Sequence, residues 1–576
     1  MKKRQVKTQN IIQLGLLLIL VILVNIISHF VFHRFDLTEE KRFTLTETTE
    51  NFLKDMEDII FVTIYLDGEN MPAGFRRLQK ATIELMDEFK IHGGTNVEYE
   101  FLNPSESPDT ETRQEIYRQL ASDGLQYFNV TVNQDDGTTS TMPIFASAMV
   151  SYRTHGQQLD RPVNFFQGSS SNRIDDEIIN RAIENLEYEF SSAMRVVSRS
   201  MVPRVGMITG HDELTEMESY SLFNALSTFY RVDYVEIDGK LDALIDYSAI
   251  IVADPKSNYS DQDKFIIDQF VMRGGRVLWL VDAVKLDMNA LADSSQVMSH
   301  GNGVRLYDIL YNYGVKYNNT VVLDLQCIQL PINIAREDQP AQFQNFPFFH
   351  LPLISANQEH AITRNLNMIM TEMVSPLDTV GEKTEIKKEI LLTTSEYSAI
   401  RRQPVRVAMD QLTLQPELSK FPMRHLPIAV LVEGNFTSLY KNRISDQWAE
   451  NEFYDILEES SAPSKMIMIG DGDIARNPIS YSSGSPQPMA LGFERYSNRL
   501  YSNKDFLLNC MNYLLDDEGV MGVRSREVQL RLMDYEQITE KKMKWKLINL
   551  IAPISLIFVF GIVYVIVRKK KYSGKA

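Results

Sequence analysis

Two long apolar runs limit what this chain can fold into more than any other feature. Ile11 to Phe32, IIQLGLLLILVILVNIISHFVF, and Trp545 to Val567, WKLINLIAPISLIFVFGIVYVIV, are 22 and 23 residues long, and neither contains an Asp, Glu or Arg. At about 1.5 Å of rise per residue, a helix of either length crosses a hydrocarbon layer of about 30 Å. Both are expected to be transmembrane helices, with Lys546 able to snorkel from its end of the second. The first follows the basic tail MKKRQVK, as a signal peptide would. Its apolar run outlasts a signal core, however, and no small-x-small cleavage site precedes HRFDLTEEKR, so it is expected to stay as an uncleaved anchor.

Two crossings put both tails on one side of the membrane and the roughly 510 residues between them on the other. Lys2, Lys3, Arg4, Lys7, Arg568 to Lys571 and Lys575 make the tails wholly basic, which places both termini in the cytoplasm and the body outside it. Setting aside the tails and spans takes the formal charge from -17 to about -27 for the body. Such a surface excludes nucleic acid as a partner. Cys327 and Cys510 have no CxxC spacing, so a redox pair or metal knuckle is excluded, and each sits in an apolar run suited to a buried free thiol.

At 576 residues, several domains are expected. After the first anchor, Thr44 and Thr46 can cap a helix reaching about Met56. A strand at Ile59 to Leu66, a helix ending in Gly93-Gly94, the strand NVEYEFLNP, the helix TETRQEIYRQLASDGL and two or three strands over QYFNVTVNQDDGTTSTMPIFASAMVSY follow. That order suits a small thioredoxin-like α/β domain without thioredoxin chemistry. Asp175 to Met201 is a long helix with Ile178, Ile179, Ala182, Ile183, Leu186, Phe190 and Met194 on one face, placed to dock between domains.

From Pro203 onward, near-continuous apolar strands (RVGMITG, YSAIIVADP, RVLWLVD) alternate with amphipathic helices, the signature of a parallel sheet covered on both faces. Residues 300–425 have no clear period and are expected to form an insertion or a lid. The expected division is a tail over 1–10, a span over 11–32, a small α/β domain over 33–170, a connecting helix over 171–202 and a larger α/β domain over 203–520. A juxtamembrane segment over 521–544, a span over 545–567 and a tail over 568–576 complete it.

Taken together, HRFDLTEEKRFTLTETT after an N-terminal anchor, GMITGHDE, IIVADP, FVMRGGRVLWLVD, IAVLVEGNFTSLY, IGDGDIARN and NKDFLLNCMNYLL before a C-terminal anchor resemble the gliding-motility-associated ABC transporter auxiliary proteins of Bacteroidetes, the G subunit of the Gld type. The resemblance covers nearly the whole chain. It implies a periplasmic, inner-membrane-anchored accessory component working with an ABC permease and an ATPase. It also implies that the region from GMITGHDE to LWLVD is similar to class I glutamine amidotransferase-like domains. It supplies no substrate.

The residues themselves offer little catalysis. No G-x-x-x-x-G-K-[ST] loop is present to hold ATP phosphates, so energy must come from another chain. Neither cysteine sits on the Gly-flanked turn that an amidotransferase nucleophile needs, and Asp282 stands at the strand end instead. No H-E-x-x-H is present for zinc, and no cofactor is expected. Two acidic strand ends stay open between two readings. Gly210, His211, Asp212 and Glu213, with Asp254 in the ADP turn, could bind a small polar ligand or metal at the carboxyl edge of the sheet. Alternatively Gly210 only permits a turn, while Asp212 or Glu213 favours the next helix start. Asp471-Gly472-Asp473 fits neither an EF-hand loop nor a phosphatase D-x-D, and its plainer reading is a turn in which Asp473 caps a short helix from Ile474.

The function expected is therefore a non-enzymatic transporter subunit, with permease, ATPase and lipid as partners. The alternatives are a divergent ligand-binding or hydrolytic domain, and a structural link to envelope or motility components.

Overall fold

The computed structural model describes residues 44–524 and 535–572, apart from 57, 69–70, 134–138, 155–156, 167–173, 199–201, 287, 292–293, 295, 336–338, 382–385, 412–415, 444–454, 483, 518 and 520. The expected first anchor, 11–32, lies outside the described residues except for helical positions 15–16, 19–20 and 23. The chain divides into two compact units, Met1–Arg526 and Glu527–Ala576.

The first unit begins with a small lobe. Helix α1 (Glu47–Asp55) starts where the Thr49 N–H donates to the Thr46 hydroxyl oxygen at 3.4 Å. Strand β1 (Ile60–Ile64) alternates buried and half-buried positions, which turns Ile60, Val62 and Ile64 into the core. Helix α2 (Ala73–Gly93) follows, and Gly94 at φ +60° lets the chain leave it in a conformation that a side chain would resist. The remaining elements are β2 (Val97–Phe101), α3 (Thr110–Ser122), β3 (Tyr127–Asn133), β4 (Thr139–Phe145), β5 (Ser147–Thr154), β6 (Gln157–Asn164) and α4 (Asp176–Ser198).

The small sheet has the order β2-β1-β5-β6. The α2 crossover makes β1 and β2 parallel, whereas β5 is antiparallel to both β1 and β6. Among the described residues, strands β3 and β4 pair only with each other. Strand β6, QQLDRPVN, was not expected from the sequence, because its polar alternation and Pro162 hide it. Leu186, Phe190 and Met194 of α4 pack into the same core as Val62, Met86 and Phe89. Full burial of side chains of this size contributes about 1.5–3 kcal/mol each.

The large lobe is built from β7 (Arg204–Thr209), α5 (Glu216–Ser227), β8 (Arg231–Glu236), β9 (Ala249–Ala253), α6 (Asp261–Met272) and β10 (Arg276–Leu280). It continues through β11 (Cys327–Asn333), β12 (Phe343–Ala356), β13 (Ile386–Thr393), β14 (Pro427–Gly434), β15 (Ser464–Ile469) and α7 (Asn503–Leu514). These strands form one sheet in the order β11-β12-β13-β14-β15-β10-β9-β7-β8. Two faces take up the apolar runs. Ile250, Val252, Trp279 and Met468 point to the side of α6, whereas Ile251, Leu278, Leu280 and Ile469 point to the side of α5 and α7. A strand buried on both faces cannot alternate in polarity, and for that reason these runs are continuous.

The expected parallel sheet is parallel over part of its width. From β15 to β8 every pairing is parallel, but from β11 to β15 every pairing is antiparallel. Residues 300–425, expected as an insertion or lid, supply β11, β12 and β13 to the sheet itself. Their pattern is obscured by prolines and a β-bulge within the pairings. Cys327 and Cys510 are buried free thiols.

The second unit contains α8 (Tyr535–Tyr572), in which Lys546–Val567 is a 22-residue stretch of mean hydropathy 2.8, long and apolar enough to cross a membrane. Pro553 interrupts its ladder, and the Ser555 hydroxyl donates to the Ile551 carbonyl at 2.7 Å.

Candidate functional site

Three neighbouring parallel strands end in aspartates. Asp254 follows β9, Asp282 follows β10 and Asp471 follows β15, and the pairing registers align these strand ends side by side. Backbone bonds hold the strand ends together, with the Asp254 N–H donating to the Leu280 carbonyl at 2.9 Å and the Val281 N–H to that of Ile469 at 3.2 Å.

Of these aspartates, Asp254 meets Arg476, which also gathers Asp473 and Glu218. Its Nη2 lies 2.5 Å from Asp254 Oδ2, its Nη1 pairs with Asp473, and its Nε lies 3.6 Å from Glu218 Oε1. Lys256 Nζ adds a second cation 2.9 Å from Asp254 Oδ2. Gly472 is pressed against Asp254, where an added Cβ would lie 2.7 Å from the Asp254 Cβ, and its N–H donates to Asp282 Oδ1 at 2.8 Å. Asp471 is fully buried and spends both oxygens on the backbone, accepting from Glu372 N–H at 2.9 Å and Ile474 N–H at 3.1 Å. The short turn Asp473–Ala475 has Gly472 at its N-cap and no side-chain cap; Asp471 accepts from the Ile474 N–H, and Asp473, to which the sequence pointed, pairs with Arg476.

Burial, and then the neighbouring acids, push Asp282 and Asp471 well above the usual carboxylate range. Burial lifts Asp473 to about 6, with Arg476 opposing the rise. Burial works against the Arg476 charge too, yet Asp473 and Asp254 hold that guanidinium above its ordinary value.

His211 belongs to a second cluster. Its Nε2 is 3.2 Å from Asp263 Oδ2, its Nδ1 is 3.4 Å from Glu213 Oε1, and its ring stacks on Tyr259 at 3.6 Å. The Tyr259 hydroxyl donates to Glu213 at 2.5 Å. Burial disfavours the imidazolium, but Glu213 and Asp263 outweigh it, so the ring titrates above its ordinary value. Glu213 therefore serves His211 and Tyr259 and not the next helix, which Thr215 and Glu218 cap reciprocally. Asp212, at φ +55°, accepts from the Ser257 hydroxyl, and Gly210 ends β7 at φ +112°.

The site residues expected from the sequence therefore separate into two groups. Asp254 and Asp473 meet at Arg476, with Asp471 bound to the backbone of Glu372 and Ile474, whereas His211 and Glu213 face Asp263 and Tyr259. The two clusters meet along the backbone, where the N–H groups of Lys256 and Ser257 both donate to the His211 carbonyl at 3.0 Å and that of Leu214 to Ala253 at 3.0 Å. These bonds join the loops after β7 and β9. There the strand order reverses, since β7 pairs with β8 on one side and β9 on the other, and open α/β sheets place ligands at such reversals. Among the described residues, no group of three or more His, Cys, Asp or Glu is placed to hold a metal ion.

Sequence reasoning missed Arg476, Lys256, Asp263 and Tyr259, and left Asp282 outside the site. A usable signal was present, because three buried strands, IIVAD, LWLVD and MIMIGD, each run into an aspartate. Arg476, three residues beyond Asp473, is the cation that such a convergence needs.

Comparison with known proteins gives the wider setting. A domain of unknown function matches residues 39–151. A Borreliella burgdorferi chain described as an uncharacterized protein is 21% identical over 597 residues, covering 99% of this chain and all of its own length. Among solved structures, the mmIFT52 N-terminal domain covers 54% of this chain and 96% of its own at 12% identity and a TM-score of 0.30. A putative ThuA-like protein from Parabacteroides merdae covers 55% and 90%, at 12% identity and a TM-score of 0.26. A family model described as an ABC-type uncharacterized transport system matches residues 202–510, more than half of the 576 residues, and the chain belongs to this ABC transporter auxiliary family.

Proposed function

We propose that the chain is a non-enzymatic, membrane-anchored accessory subunit of an ABC-2-type transporter, working beside a permease and an ATPase supplied by other chains. In this reading both termini are cytoplasmic, both apolar runs span the inner membrane, and the acidic body stands on the periplasmic side, in the role of the Gld-type G subunit linked to gliding motility or secretion. The strand order β2-β1-β5-β6, with β5 opposed to the rest, supports a thioredoxin-like small lobe. The five parallel strands support an amidotransferase-like core for the large one.

The observation that carries the non-enzymatic reading is the state of the carboxyl edge. Where the fold would offer a ligand its crevice, Arg476 is engaged with the carboxylates it gathers, and backbone bonds to His211 join the flanking loops. A catalytic acid or base must reach its substrate at about 3 Å or through one water, and these groups are already engaged with one another.

The test is purification of the tagged full chain from native membranes in mild detergent. Recovery of a permease and an ATPase in fixed proportion is the expected result. A chain recovered alone under conditions that preserve other transporters would sink the proposal. Saturable binding of a small molecule that is lost in Asp254→Asn would favour the ligand-binding alternative.

A further inference from the structure

The small sheet presents two unlike faces. Ile60, Val62, Ile64, Ala148 and Val150 point into the core shared with α2 and α4. The alternate residues of β1, β5 and β6 point the other way, because successive side chains on a strand leave opposite faces. Helix α3 covers one end of that second face, where Leu120 and Phe145 pack with Tyr65 and Met149. The other end is a groove of about 1110 Å³. Ile59, 54% exposed, and the half-buried Phe61 line it, so apolar surface stands open to solvent where the helix layer stops short.

The charge on this face has one prevailing sign. Asp58, Asp123 and Asp160 line the groove, and Glu98 and Glu100 stand on the same face, paired across the strands with Phe61 and Thr63. Arg153 is the one cation in the lining, and its guanidinium turns to the Gln158 side-chain oxygen at 3.3 Å. Among the described residues, none of the five carboxylates is in an ion pair. Asp58 accepts from the Tyr152 hydroxyl at 2.5 Å, and Asp160 from the Ser151 hydroxyl at 2.6 Å and the Gln158 amide at 2.9 Å, all neutral donors. Burial, and then Asp123, Glu100 and Asp160, push the Tyr65 hydroxyl above its ordinary value, which sets these three acids around one ring.

Charge selects among the possible covers for this face. A second copy brings a body of about -27, and an anionic lipid head group is likewise repelled. A cationic segment is attracted, over a range of about 8 Å at physiological salt. Size and neighbours select its shape. At about 1110 Å³ the groove exceeds the roughly 300–1,000 Å³ of a small-molecule pocket. An apolar sheet face is covered by helices or by another sheet, and α3 has already begun a helix layer here. A second helix would lie about 8–10 Å from α3, its apolar stripe on the sheet and its flanking cations toward the acids of β2 and β6.

We propose that this groove docks a basic amphipathic helix of another protein, with the apolar stripe on Ile59 and Phe61 and Lys or Arg residues against Glu98, Glu100 and Asp160. The docking surface belongs wholly to the small lobe and is independent of the transporter assignment.

The experiment is photo-crosslinking of the full chain in native membranes, with p-benzoylphenylalanine in place of Phe61 and, as a control, in place of the exposed Tyr496 of the large lobe. The expected adduct is to a segment of a different chain that carries at least two Lys or Arg, with apolar residues at i, i+3 and i+4. Its yield should fall at least fivefold in Glu98→Lys with Glu100→Lys, two exposed positions, and when salt is raised from about 0.05 M to about 0.5 M. An adduct whose yield ignores the charge reversal overturns the proposal. So does an adduct to lipid, to this chain itself or to an acidic or aperiodic segment, and so does labelling at 61 no stronger than at 496. The same label in place of Ile59 decides the matter if position 61 does not tolerate it. A permease and an ATPase recovered with the chain, but no adduct at either position, would sink the docking site and leave the subunit reading intact. An adduct to a basic helix from a chain outside any transporter would do the reverse.

Discussion

At the carboxyl edge of the large sheet, Arg476 and His211 each draw carboxylates together, one as a permanent cation and the other as a ring whose charge follows pH. Arg476 ties Asp254 after β9 to Asp473 after β15 and to Glu218 of α5. His211 ties the loop after β7 to Asp263 in the first turn of α6. Both fasten strand ends at the carboxyl edge of the sheet. They differ in what loosens them, since the Arg476 knot yields to loss of a partner and the His211 clamp yields to loss of a proton.

Removing the cation gives the largest expected effect. Arg476→Met leaves Asp254 with Lys256 only and Asp473 unpaired, and should cost about 3 kcal/mol, the lower end for breaking a buried pair because Arg476 keeps about a third of its surface exposed. Urea unfolding of the full chain in detergent measures this, and a loss below about 0.5 kcal/mol would make the knot a surface feature.

Gly472→Ala tests the same knot sterically. The new Cβ would stand 2.7 Å from the Asp254 Cβ and 2.8 Å from its Cα, so the β15 turn and the end of β9 must part. A loss of about 2 kcal/mol is expected from the same unfolding curves. On the His211 side, Tyr259→Phe removes one hydrogen bond to Glu213 and keeps the stacked ring, for an expected loss of about 1–2 kcal/mol.

The finest contrast is in pH. His211 titrates above its ordinary value in the folded chain, so the stability it contributes is fully present below about 6.5 and is lost as pH rises through the folded value. His211→Gln should remove its share of that decline, the remainder belonging to the raised carboxyls of Asp282 and Asp471. Asp473 also titrates upward, to about 6, and a carboxyl raised by folding makes stability fall as pH climbs from about 4 to that value. Asp473→Asn should flatten the lower window and leave the upper one alone. If either variant alters both windows, the clusters are one coupled unit.

Elements whose signal is local were legible in the sequence. The Thr46 cap, the apolar face of α4, the two-sided strands β9 and β10 and the long apolar stretch within α8 all follow from spacing over a few residues. Strand β6 and the antiparallel wing were not, because a proline-bearing or bulged strand is defined by its partner. The aspartates that end the strands were visible individually. The pairing of Asp254 with Arg476 was not, since the two are 222 positions apart.

By itself the sequence determined an acidic body bracketed by apolar runs of membrane-crossing length, an α/β pattern, and the absence of nucleotide-binding and zinc-hydrolase motifs. These depend on composition and on periods of a few residues, which a chain cannot conceal. Only the tertiary structure decided which carboxylates share a cation and which backbone bonds join the loops after β7 and β9. Electrostatic partnership depends on distance and burial, and both arise only when strands far apart in sequence are laid side by side.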